Sequence, residues 1–114
     1  MHKQPPMGTV VLLRFPFTDL SGAKRRPAVV VGHAHGGDLV VACVSSKYET
    51  CGPYDVITKQ EESSFAQTGL HATSVICVDK LATLQPTIAT GKLGVVSSKH
   101  FIEIKKKLKM LFRL

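Results

Sequence analysis

The chain has 114 residues, with 15 Lys and Arg against 8 Asp and Glu, a formal charge of +7 and a pI near 9.6. Its length allows one compact domain, and a chain of this size buries roughly two-thirds of its unfolded surface, enough for a core without metal or disulfide staples. Apolar residues at 44% and charged residues at 20% exclude global disorder, and no apolar run is long enough to span a bilayer.

The opening MHKQPP lacks the apolar stretch of a secretory signal, so residues 1–7 are expected to be a tail before a single domain over 8–114. Residues 9–15 (TVVLLRF) are β-rich and nearly continuous in apolar character, which predicts a strand buried on both faces. Residues 18–22 (TDLSG) form a turn-rich loop, and Lys24-Arg25-Arg26 a basic step after it. A second strand is predicted over 28–32, with Pro27 at its mouth, where a missing N–H is tolerated. His35-Gly36-Gly37-Asp38 has hairpin chemistry and leads into a third strand over 39–45.

Beyond a loop punctuated by Gly52-Pro53, Val56-Ile57 predicts a short strand and residues 60–66 a helical turn. Residues 74–79 predict a further strand, with 80–84 pairing beside it. Residues 86–92 then predict a helical turn and 93–96 a last strand. Ser97 or Ser98 can cap a C-terminal helix, on which Phe101, Ile104, Leu108, Leu111 and Phe112 recur at helical spacing. Several short strands plus one amphipathic helix predict a mainly β fold, a small curved barrel with the helix packed on it.

Cys43, Cys51 and Cys77 are odd in number and have no zinc-type spacing. Free thiols in a reducing cytoplasm are expected rather than a disulfide framework. His33, His35 and Asp38 lack a fourth ligand, so they are expected to be exposed turn residues, and neither a metal nor another cofactor is expected. The excess of cations points to an anionic partner. Because the helix's apolar face is short and expected to be buried, that partner is not expected to be a membrane.

Two segments can carry chemistry. The loop into the second strand holds Asp19, Lys24, Arg25 and Arg26, and arginine presents a planar, permanently charged fork matched to phosphate. From composition alone a solvated basic turn is the favoured reading. Ser45, Ser46 and Lys47 end the third strand and can hold a phosphate or a hydroxyl. Strands joined as a hairpin run antiparallel, so the start of one and the end of the next share one end of the sheet. Arg26 and Ser45 are thereby expected to be neighbours. Asp79 ends an apolar strand and can serve as a base or as a loop anchor.

The runs FPFTDLSGAKRRPAVVV, LVVACVSSK and GLHATSVICVDKLATL, in that order, resemble the MazF/PemK family of toxin–antitoxin endoribonucleases. The resemblance runs from Gly8 to the helix after Ser97, and its most specific part is the Arg26-Pro27 step into an apolar strand. It implies an SH3-like barrel that forms a homodimer. It also implies metal-independent cleavage of single-stranded RNA, leaving 2′,3′-cyclic phosphate and 5′-hydroxyl ends, and a cognate antitoxin partner. It assigns catalysis to Arg26 and Ser45; Lys24, Arg25, Ser46 and Lys47 beside them are expected to contact RNA. Some members also use an Arg and an Asp two residues apart; this chain keeps Asp79 but has Cys77 at the arginine position. Asp79 and Asp19 are therefore the candidates for a general base, with neither singled out. Two other functions fit the same resemblance: a binding toxin that inhibits a topoisomerase, and a non-catalytic nucleic-acid-binding domain.

Overall fold

The computed structural model describes residues 4–15, 24–47 and 52–114. Its elements are β1 (Thr9–Phe15), β2 (Lys24–His33), β3 (Leu39–Ser45), β4 (Asp55–Thr58), β5 (Ser74–Leu84), β6 (Ala89–Val95) and α1 (Ser98–Phe112). The strands form one antiparallel sheet in the order β4-β5-β3-β2-β1-β6. Register shifts interrupt the β1–β6, β2–β3 and β3–β5 ladders, and each such irregularity bends a strand and adds twist. The sheet curls strongly, yet its outer strands β4 and β6 do not pair. It is a curved sheet, not a closed barrel.

The near-continuous apolar strands are buried on both faces, as their composition requires. Val10, Val29, Ala42, Val44 and Ile76 pack on one face with Ile104 of α1. Val11, Leu13, Ala28, Val30 and Val41 pack on the other, against the partly buried Leu84 and Ile88. Ser97 caps the helix, its Oγ accepting the His100 N–H at 3.0 Å. His100 is buried, and its Nε2 lies 3.3 Å from Glu62 Oε2 while Glu62 Oε1 accepts the Lys59 N–H at 3.0 Å. The start of α1 is thus tied to the loop after β4. Phe112, expected on the apolar stripe, is instead exposed beyond the end of the packed surface.

Three expected boundaries change. Residues 74–84 form one strand, not two, because no turn-forming residue separates Asp79 from Leu81. The extra length is absorbed where pairing jumps from Cys43–Cys77 to Ala42–Leu81. After Pro86 only residues 86–88 turn helically, and β6 starts at Ala89, earlier than expected. Residues 66–68, rather than 60–66, make the short helical turn before Gly69. At the N-terminal side, Gln4 Nε2 donates to the Asp38 carbonyl at 3.0 Å, and His33 Nε2 lies 2.7 Å from the Pro5 carbonyl. Residues 4 and 5 are therefore held on the body. Among the described residues, no helix is long and apolar enough to cross a membrane.

Candidate active site

The site begins where β2 and β3 part. Their ladder runs from His33–Leu39 to Ala28–Cys43 and stops there, at the residue following Pro27, which has no N–H to donate. Continuing the register by two residues sets Arg26 opposite Ser45. Both line a cleft of about 500 Å³, together with Arg25, Ser46 and Lys47. Leu12, Pro27, Val44 and Leu93 supply its apolar lining. An apolar wall beside exposed cations strengthens their attraction for an anion, since less water screens it.

Ser45 Oγ accepts the Lys47 N–H at 3.1 Å, which turns the chain out of β3 and leaves the hydroxyl proton free to donate to a ligand. Arg25 and Arg26 are both exposed. Arg25 stands across the ladder from Arg14 of β1, and Arg26 across from Leu13. Arg26 and Lys80 are also near Cys43. Burial pushes that thiol's pKa up, and the two cations pull it back.

The far wall of the cleft comes from residues 69–72 and Ser74. Gly69 makes this wall: its φ is +73°, and a Cβ there would lie 2.1 Å from the Leu93 carbonyl oxygen of β6. Gly94 permits the same approach from the other side, a Cβ there falling 2.0 Å from the Gln67 carbonyl oxygen. The wall carries His71, whose side chain is exposed to the cleft's solvent.

Of the residues expected to act together, the fold brings Arg25, Arg26, Ser45, Ser46 and Lys47 into one cleft. Lys24 opens β2. Asp79 is exposed where β5 loses register with β3 and is not part of the cleft lining. Asp19 lies outside the described residues. Two residues were not anticipated. Arg14 could have been found from hairpin register, since Phe15 pairs with Lys24 and Arg14 with Arg25. His71 has no local signal, because only the glycine-permitted approach to β6 brings it to the cleft. Among the described residues, no three His, Cys, Asp or Glu side chains gather as a metal site.

Paired arginines, a lysine and hydroxyls gather in one cleft at the end of a curved antiparallel sheet in a small β protein. The chain belongs to the family of PemK-like, MazF-like toxins of type II toxin–antitoxin systems, whose model matches residues 7–112. MazF from Deinococcus radiodurans has the same fold, with a TM-score of 0.74 and 22% identity, covering 99% of this chain and 100% of its own. An endoribonuclease from a mycobacterial species, in complex with its cognate antitoxin, follows at TM-score 0.69 and 21% identity, covering 99% and 97%. A MazE–MazF complex from D. radiodurans gives 0.73 and 22%, covering 97% of both chains. No curated protein sequence matches the chain.

Proposed function

We propose that the chain is the toxin of a type II toxin–antitoxin pair and acts as a metal-independent endoribonuclease on single-stranded RNA, in the cytoplasm, as a homodimer. Family membership supports the toxin role. The mycobacterial neighbour, an endoribonuclease held by its antitoxin, supports both the activity and the partner. The observation that carries the proposal is the shared cleft of Arg26 and Ser45, with Arg25 and Lys47 beside them.

The chemistry needs no cofactor. RNA cleaves itself when its 2′-hydroxyl loses a proton and the oxygen attacks the adjacent phosphorus in line with the departing 5′-oxygen. Arg26 neutralises the extra charge on the phosphorane-like transition state, and Ser45 donates to a non-bridging oxygen. The 5′-oxygen leaves against the guanidinium's N–H donors and takes its proton from solvent. The products are a 2′,3′-cyclic phosphate and a 5′-hydroxyl. Asp79 does not line the cleft, and Asp19 lies outside the described residues. His71 is the one imidazole lining the cleft among the described residues, and we assign it to accept the 2′-hydroxyl proton.

The exposed Lys99, Lys105, Lys106 and Lys109 of α1 suit an acidic antitoxin segment. Lys107 does not share that role, since its Nζ donates to the Pro53 carbonyl at 2.8 Å. Incubation of the purified protein with a long RNA in excess EDTA, followed by mapping of the ends, tests the proposal. Discrete cuts bearing cyclic phosphate are expected. RNA binding without turnover would instead establish a non-catalytic domain.

A further inference from the structure

Cys43 of β3 and Cys77 of β5 are partners in an antiparallel ladder. Directly opposed residues in such a ladder point to the same face, with Cα atoms about 4.5–5.5 Å apart. That spacing lies within the roughly 4.4–6.8 Å that a disulfide spans. The two thiols are close enough to influence each other's ionisation. They also stand at the point where β5 loses register with β3, residues 78–80 being extra, so the backbone there is less constrained than in a regular ladder.

We propose that Cys43 and Cys77 form a reversible cross-strand disulfide with a low-molecular-weight disulfide as oxidant, and that the bridge slows the RNA-cleaving cleft beside it. The second half rests on the function proposed above; the first does not.

The surroundings give the thiols different roles. Cys43 is half-buried and lies near Arg26 and Lys80, which favour its thiolate against the burial that opposes it. Cys77 is buried; Asp55 and Asp79 add to what burial does to its thiol, Lys80 offsets part of it, and Arg26 is not among its charged neighbours. Cys43 is therefore the first nucleophile. Its thiolate attacks one sulfur of a glutathione-type disulfide and releases one small thiolate, which takes up the proton Cys43 has lost. Cys77 then loses its proton and attacks the Cys43 sulfur, expelling the second small thiol. Two protein thiols are oxidised and one small disulfide is reduced to two thiols.

The consequence follows from strand geometry. Cys43 lies two residues from Ser45 on the same face of β3, and Arg26 is its electrostatic neighbour. Drawing β3 toward β5 moves Ser45 relative to Arg26, and a misplacement of about 1 Å can cost on the order of a hundredfold in rate.

The test uses the full chain with Cys51 replaced, C51S, so that only the two thiols in question remain. The protein is titrated with oxidised and reduced glutathione, then read by intact mass, peptide mapping and RNA cleavage. Expected is the loss of two hydrogens without retained glutathione and a peptide joining residues 43 and 77. Formation should be faster at about pH 8.5 than at about pH 7, because burial keeps both thiols protonated at neutrality. Cleavage should fall about tenfold or more and return with dithiothreitol. C43S and C77S proteins should keep cleaving under the oxidant. A lasting glutathione adduct on Cys43 with Cys77 still alkylatable, or a bridge only between chains, overturns the proposal. A 43–77 bridge with unchanged cleavage overturns its second half. If the reduced protein cleaves no RNA, the proposed function fails while the mass result still decides the bridge.

Discussion

Arg14 of β1 stands directly across the ladder from Arg25 of β2, and both are exposed. Like charges directly opposite each other in a ladder repel and destabilise it. The fold keeps a repulsion that a bound phosphate would relieve, which is expected of a surface shaped for a polyanion. Arg14→Ser should therefore raise thermal stability slightly while weakening RNA binding. The salt dependence of binding should become shallower by about one unit of slope. A stability gain with unchanged RNA affinity would place Arg14 outside the interface.

Arg26→Ala should leave the fold intact, because the side chain is exposed, and should lower the cleavage rate about 10²–10³-fold. Arg26→Lys should rescue little, since an ammonium lacks the planar fork. Single-turnover kinetics beside circular dichroism separates chemistry from folding, and near-normal cleavage by a folded Arg26→Ala protein would remove Arg26 from the mechanism.

His71→Ala should lower the cleavage rate with little change in affinity for a non-cleavable 2′-deoxy substrate, because a base acts on the proton rather than on binding. Added imidazole should restore part of the rate. Loss of affinity without rescue would make His71 a binding residue only.

Gly69→Ala meets two obstacles, a positive φ and a backbone oxygen 2.1 Å from the new Cβ. It should destabilise the protein by more than about 1 kcal/mol and displace the wall carrying His71. Gly36→Ala serves as the control. That glycine also has positive φ, but nothing lies within 4 Å of a Cβ there. Denaturant midpoints for the two variants measure what the close approach adds.

Met7, Val95 and Ile102 are exposed apolar side chains around one groove of about 300 Å³ between β6 and α1, and β6 is an edge strand. The homodimer proposed above is expected to bury this face, because a second copy would cover side chains that water otherwise wets. Ile102→Asp should shift the protein from dimer to monomer in sedimentation, with helix content unchanged. A dimer that persists would put the interface elsewhere.

Much of the fold was legible because its signals are local. The apolar runs at 9–15 and 39–45 are strands with the expected bounds, and Ser97 caps α1 where a hydroxyl precedes an apolar stripe. The bend within β5 was not legible, since a register jump depends on what the neighbouring strand pairs with rather than on residues 78–80 themselves. The same limit hid the first half of β6, where residues 89–92 include Gly91 and Lys92 and form a strand by pairing with β1.

The sequence by itself determined that the chain is basic, that residues 9–15 form a strand buried on both faces, and that an Arg-Pro step enters another strand. It also shows where the +7 lies: residues 99–113 hold Lys99, Lys105, Lys106, Lys107, Lys109 and Arg113 against Glu103 alone. Only the tertiary structure decided which cations share a cleft, that His71 joins them, that Lys107 reaches the Pro53 carbonyl, and that Cys43 faces Cys77. The reason is physical. Propensity and apolar period act over a few neighbouring residues, whereas a site is a set of distances between strands. Those distances follow from register, from the bends that shift it, and from the glycines that let one backbone approach another.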